Sequence, residues 1–174
     1  MRRVAVIASA SGNGKTTVGR ALAERLGVPF VELDLLHWGP GWTEASAEEL
    51  RARVEPIVAT DAWVADGVYR GKIGDLVLER AELVVWLDLP MRVWLPRLLR
   101  RTLRRALSRE EFLNGNRETL RSALLGRDSL ILYALRAHYR RRRTYPTQLS
   151  RFVVVRLRSQ REVERFLTRA VRAT

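Results

Sequence analysis

The chain contains no cysteine, which excludes a disulfide framework and any thiolate metal centre. Its two histidines, His37 and His138, lie far apart and argue against a histidine zinc site. No apolar run approaches the ~20 residues that a membrane span needs, so no membrane partner is expected. The basic-then-apolar start, MRRVAVIASASGNGK, opens like a signal peptide. Its apolar stretch ends in a glycine-rich loop, however, and reads as a first strand, so the cytoplasm is the expected compartment. Lysine is scarce as well: Lys15 and Lys72 stand beside 30 arginines.

The 174 residues suit one domain, and 47% hydrophobic content is enough to build a core. Charge is unevenly spread. The chain carries 32 basic and 19 acidic residues, net +13. Residues 1–88 are net −3, whereas residues 89–174 are net +16. A chain so divided attracts anions: nucleic acid, acidic lipid or a phosphorylated small molecule.

Arg3–Ala8 (RVAVIA) is a short apolar run suited to a strand buried on both faces. Lys15–Leu26 reads as a helix, with Val18, Leu22 and Leu26 four apart and Gly27 closing it. Further strands are expected at Pro29–Leu33, Trp63–Ala65, Leu83–Leu87 and Phe152–Leu157. Ser46 with Glu49, and Ser159 with Glu162, carry the S-x-x-E capping-box signature of helix starts. Asp34–Thr43 (DLLHWGPGWT) reads as an ordered loop. Met91–Tyr139 reads as helical and crowded with arginine, broken near Asn114-Gly115 and Gly126. Strands alternating with helices predict an α/β fold with a mainly parallel five-stranded sheet flanked by helices.

Ser9–Thr16 (SASGNGKT) nearly matches the nucleotide-binding pattern G-x-x-x-x-G-K-[ST], here lying between a strand and a helix. In such a loop the backbone N–H groups of Ser9, Ala10, Ser11, Gly12, Asn13, Gly14, Lys15, Thr16 and Thr17 cradle phosphates at a helix N-terminus. Lys15 reaches the terminal phosphates, and the Thr16 hydroxyl binds Mg²⁺. The departure is Ser9, which stands where the pattern begins with glycine.

The segments VIASASGNGKTTVGRALAERLGVP, LDLLHWGPGW, WVADGVY, LVVWLDLP and NGNRE resemble the small P-loop kinases related to adenylate kinase. More narrowly, they are similar to bacterial proteins described as topology-modulation or adenylate-kinase-like. The resemblance implies a three-layer P-loop fold, ATP and Mg²⁺ as cofactors, and an arginine-rich helical lid near residues 102–127. It also implies an Mg²⁺-associated carboxylate at Asp66, for which capping a neighbouring helix is the structural alternative. Asp88 has the same capping alternative. Arg97 and Arg101, one helical turn apart, are implied to face the phosphoryl groups, against solvation as the competing role. Arg117 and Arg121 would share a helical face in the lid, and Arg158 would lie near the adenine. On the acceptor side the resemblance implies Asp34 orienting the attacking hydroxyl. Around it stand His37, Trp38, Trp42, Tyr69 and Arg70, with an aromatic mini-core as the alternative for the tryptophans. Arg140–Arg143 wrap around a helix and read as a solvated helix end.

Two functions of different class follow. One is an ATP-dependent kinase with a small-molecule acceptor: a nucleotide, a nucleoside or a hydroxylated metabolite. The other is a nucleic-acid-binding or regulatory P-loop ATPase using the +16 half. No nucleic-acid motif is present, and aromatic residues do not interleave with the basic clusters, which favours the kinase.

Overall fold

The computed structural model describes residues 1–108, 111–117 and 129–170. Its centre is a five-stranded, wholly parallel sheet. In chain order the strands are β1 (Arg3–Ala8), β2 (Phe30–Glu32), β3 (Trp63–Asp66), β4 (Leu83–Leu87) and β7 (Val154–Leu157). Across the sheet they run β2-β3-β1-β4-β7. The three inner strands are buried almost throughout, as expected when helices cover both faces of a parallel sheet.

On one face α1 (Lys15–Leu26) and the terminal helix α8 (Gln160–Ala170) pack Val18, Leu22 and Val163 against Val4, Val6 and Val85. On the other, α3 (Ala47–Val58) and α5 (Leu76–Arg80) bring Leu50, Val54, Val77 and Leu78 to Trp63 and Ile7. Helix ends follow their sequence signals. Ser46 and Glu49 form a reciprocal capping box, and Gly27 ends α1 at φ 62°. Ser159 accepts from the Glu162 N–H at 3.2 Å, as the second box anticipates, but the Glu162 carboxylate reaches the Arg158 N–H instead of Ser159.

Helix α6 (Met91–Ser108) and helix α7 (Leu130–Gln148) rise over the end of the sheet. They enclose a smaller cluster of Ala10, Trp94, Leu98 and Ala134 directly beneath the glycine-rich loop.

Three expectations need correction. Asp34–Thr43, expected as an ordered loop, is ordered but carries helical structure. It holds α2 (Leu33–His37) and a 3₁₀ turn at Pro40–Trp42, closed by Ala45 N–H on the His37 carbonyl and Gly39 N–H on the Thr43 carbonyl. The NGNRE region is not helical where described: β5 (Glu111–Phe112) and β6 (Asn116–Arg117) form an antiparallel hairpin. Its turn has Leu113, Asn114 and Gly115 at positive φ, a conformation that a helix excludes. Arg117 therefore sits on a strand, and Arg121 lies outside the described residues. Finally, Arg140–Arg143 are not a helix end, because α7 runs on through Pro146 to Gln148.

At Gly12 the packing is tightest. The residue lies at φ 82°, and an added Cβ would stand 2.6 Å from the Trp94 carbonyl oxygen. Gly12→Ala is expected to cost about 2 kcal/mol or more, from overpacking combined with a left-handed backbone. That is a fall of roughly 4–8 °C in melting temperature for a chain of this size, readable by calorimetry.

Candidate active site

The glycine-rich loop leaves β1 at Ala8 and enters α1 at Lys15, with Gly14 at φ 87° making the turn into the helix. Side chains rivet it from behind. Ser9 N–H donates to the Leu87 carbonyl at 3.0 Å, continuing the pairing of β1 with β4. The Ser9 hydroxyl donates to Asp88 Oδ1 at 2.6 Å and accepts from Trp86 Nε1 at 2.9 Å. Buried Asn13 donates to the Ala10 carbonyl and accepts from Leu89 N–H, both at 2.9 Å. The side chains of Ser9 and Asn13 are therefore spent on the fold, and so is the Ser9 N–H, contrary to its expected place in the phosphate cradle.

Asp88 is wholly buried at the end of β4. Besides Ser9 it accepts two N–H groups of Arg156, at 3.0 and 2.6 Å, and lies 3.3 Å from Arg142 Nε. Its carboxylate is met by these side chains rather than by a helix N-terminus, and through Ser9 it anchors the loop. Arg141 is half-buried, contrary to the solvated role expected for Arg140–Arg143, whereas Arg142 stays exposed even as its Nε approaches Asp88. Arg141 donates to the Ala8 carbonyl at 3.1 Å, and its charge is felt by Lys15.

In front of the loop, Lys15 pairs with the buried Asp66, and Thr16 Oγ1 donates to the other Asp66 oxygen at 2.6 Å. The register of β3 with β1 sets Asp66 beside Val6, one turn of chain from the loop. Burial opposes the charge of Lys15, but Asp66 and Asp34 outweigh it and lift the ammonium above its ordinary 10.5. Thr16 and Asp66 thus present adjacent oxygen donors of the kind Mg²⁺ takes alongside nucleotide phosphates. Among the described residues no group of three or more His, Asp or Glu side chains could hold a metal by itself.

Asp34 lies on α2, where Tyr69 donates its hydroxyl to Asp34 Oδ1 at 2.6 Å. Burial and the Asp34 carboxylate push the Tyr69 phenol far above its ordinary 10, so it remains a donor. His37 is buried 4.5 Å from the Tyr69 ring and 4.7 Å from Trp38, and Trp38 meets Trp42 edge-on at 5.6 Å. The hairpin tip lies on this wall. Asn114 Nδ2 donates to the carbonyls of Leu35 and Trp38 at 3.0 and 2.6 Å. Asn116 donates to the Gly39 carbonyl at 2.8 Å and accepts from the Trp42 N–H at 2.7 Å.

Other predicted residues are exposed or have further partners. Arg70 is gripped by Asp75, which Arg151 also binds at 2.7 Å. Arg97 is exposed and donates to Gln160 at 3.1 Å, while Arg101, one turn on, is half-buried. Arg158 is exposed, its N–H accepted by Glu162 at 2.6 Å. Thr17 is exposed at the start of α1. Three residues escaped the sequence reading: Arg141, Arg142 and Glu32. Glu32 pairs in register with Asp66, and burial, then Asp66 and Asp34, raise its carboxyl above the ordinary range. Its signal was the E-L-D spacing with Asp34 at the end of a strand.

Comparison with known proteins supports the same frame. A family model for shikimate kinase matches residues 11–38, the span from the loop to Trp38. The shikimate kinase of Symbiobacterium thermophilum is 38% identical over 97 residues, covering 48% of this chain and 56% of that protein. The chain thus spans little more than half the length of that curated relative. Among solved structures, a shikimate kinase from Acinetobacter baumannii in complex with shikimate superposes with a TM-score of 0.58 at 18% identity, covering 99% of this chain and 93% of that one. A gluconokinase from Sinorhizobium meliloti 1021 gives 0.54 at 22% identity, covering 99% and 94%. At such identities the likeness is one of fold, and the fold is that of the small P-loop kinases.

Two outcomes follow from the site's electrostatics. Asp88→Asn leaves Arg156 and Arg142 without their counter-charge; both are partly solvated, so a loss of about 1–3 kcal/mol is expected in urea denaturation. His37 and His138 are both held below the ordinary 6.5, by burial first and then by Lys72 and Arg142 respectively. The unfolded chain therefore takes up protons that the fold resists. Their contribution is fully present above 6.5 and is lost as pH falls through the depressed values. The urea midpoint should accordingly drop between about pH 8 and about pH 5.

Proposed function

We propose that this protein is an ATP-dependent phosphotransferase that moves the γ-phosphoryl group of ATP to a hydroxyl of a small-molecule acceptor. The observation that carries this reading is the position of Lys15. Its ammonium pairs with Asp66 on the nucleotide side and feels Asp34 on the acceptor side. One cation thus lies between a phosphate cradle and a carboxylate suited to orient an alcohol.

In the reaction, the loop N–H groups and the α1 N-terminus hold the phosphates, and Lys15 stabilises charge spreading over the transferred group. Asp34 orients the acceptor hydroxyl and receives its proton as the new O–P bond forms and the β–γ bridging bond breaks, releasing ADP. Mg²⁺, held by Thr16 and Asp66 together with the phosphates, would supply Lewis-acid neutralisation. The donor set fits such a group, since the Thr16 hydroxyl and the Asp66 carboxylate lie within hydrogen-bond distance of each other at the start of α1. The hairpin resting on the acceptor wall is read as part of a lid that keeps water out.

For the acceptor, the family match through Asp34 supports a hydroxylated metabolite of the shikimate or sugar-acid kind over a nucleoside monophosphate. The narrower likeness to adenylate-kinase-like and topology-modulation proteins would instead favour a nucleotide. An ADP-release screen over shikimate, D-gluconate, nucleosides and nucleoside monophosphates separates these. One class is expected to raise ADP release well above the acceptor-free rate, and Lys15→Ala should reduce it roughly 10²–10³-fold or more with the circular dichroism spectrum retained. Full activity in that variant would refute the phosphotransferase reading.

A further inference from the structure

Tyr69 occupies an expensive position. It follows Gly67 and Val68 at the end of β3, with φ 43° and ψ 42°, left-handed backbone in which an aromatic side chain is disfavoured. Glycine would sit there without strain. The surroundings nevertheless fix a tyrosine from every side. Its carbonyl accepts the N–H groups of Lys72 and Ile73, at 2.9 and 3.0 Å, which starts the short helix Arg70–Ile73. Its ring lies 4.5 Å from buried His37. Its hydroxyl donates to Asp34 Oδ1 at 2.6 Å. Strain over-determined in this way gathers where a side chain must be aimed.

What the aim achieves follows from the carboxylate. Asp34 stands on a five-residue helix, and its side chain can turn about its last bond. With Oδ1 committed to the phenol, that rotation is stopped and Oδ2 is left for a partner. His37 packs against both the Tyr69 and the Trp38 rings, which places the Tyr69–Asp34 pair behind the tryptophan wall on which the Asn114–Asn116 turn rests.

We propose that Tyr69 is a positioning residue for Asp34: its hydroxyl locks one carboxylate oxygen so that the other faces the acceptor hydroxyl. This rests on the phosphotransferase reading of Asp34. Tyr69 itself touches neither nucleotide nor acceptor; it acts through Asp34.

A double-mutant cycle tests this with wild type, Tyr69→Phe, Asp34→Asn and the double variant. ADP release is followed at saturating Mg·ATP with shikimate, D-gluconate and adenosine as acceptors, and with water alone. Tyr69→Phe keeps the ring and the backbone, so its melting temperature should stay near that of wild type. Its kcat is expected to fall about 10- to 10²-fold with the KM for ATP unchanged. In the Asp34→Asn background the same change should add no further loss, because the group it acts through is gone. A full second loss in the double variant, or an unchanged kcat in Tyr69→Phe, overturns the proposal. If Asp34→Asn keeps wild-type kcat while Lys15→Ala loses turnover, phosphoryl transfer stands and the roles of Asp34 and Tyr69 fall together. If no acceptor, water included, gives Lys15-dependent ADP release, the phosphotransferase reading itself falls.

Discussion

A buried carboxylate governs the nucleotide loop. Asp88 keeps its charge out of water at the end of β4, a situation that costs several kcal/mol unless the charge is met by well-placed donors. Donors arrive from three directions. Ser9 comes from the loop, Arg156 from β7 with two N–H groups, and Arg142 from α7. Trp86 completes the group, accepting the Arg156 guanidinium 4.0 Å above its ring while donating to Ser9. The serine in the first loop position is therefore part of the charge compensation, supplying a hydroxyl that glycine lacks. Held from behind at Ser9 and Asn13, the loop keeps its N–H groups free of local side-chain competition.

A second carboxylate, Asp66, organises the front. Parallel register sets it beside Val6 on one flank and Glu32 on the other, so Glu32 and Asp66 share the C-terminal edge of the sheet with nearby Asp34. That crowding of negative charge is tolerable because Lys15 pairs with Asp66 and Arg20 reaches Glu32 at 3.3 Å. It adds to burial in raising the Glu32 carboxyl above the ordinary glutamate range, and it is why Lys15 binds its proton more firmly despite burial. An acidic edge facing an ammonium is a poor anion site by itself and a good one once a cation joins, which is the logic of a site for a metal-bound nucleotide.

Features whose physics is local were legible in the sequence. The loop, its strand and its helix are fixed by neighbouring residues, as are the Ser46–Glu49 cap and the Gly27 stop. The five strands were also legible, because apolar β-branched runs bounded by turn residues have few other uses. Helix α2 was not, since five residues are too few to display a helical period. The hairpin at Asn114 was missed because its two-residue strands carry no alternation to read, although the Asn-Gly pair marked the turn. Four consecutive arginines likewise conceal which of them faces inward. The clue lay upstream: Ala134, Ala137 and His138 are buried, and steps of three or four from them reach Arg141, Arg142 and Tyr145.

The preference for arginine over lysine has the same physical root. A guanidinium can fork onto a carboxylate while lying flat on an aromatic ring, and an ammonium cannot do both. Arg156 sets two N–H groups on Asp88 while lying over Trp86, and Arg151 and Arg20 each set one nitrogen on a carboxylate, Asp75 and Glu32, with the guanidinium over Phe152 and Phe30. Arg70 and Arg97 are likewise committed to protein partners, Asp75 and Gln160. The arginines, among them Arg97, Arg151 and Arg156 of the positive half, thus spend part of their charge on holding strands, helices and turns together. Net charge alone therefore overstates its attraction for a polyanion. Arg141 stands differently, with its guanidinium on a backbone carbonyl at the mouth of the loop and close enough to Lys15 to be felt there. A neutral carbonyl, unlike the carboxylates that hold Arg156 and Arg151, leaves the charge of Arg141 uncancelled.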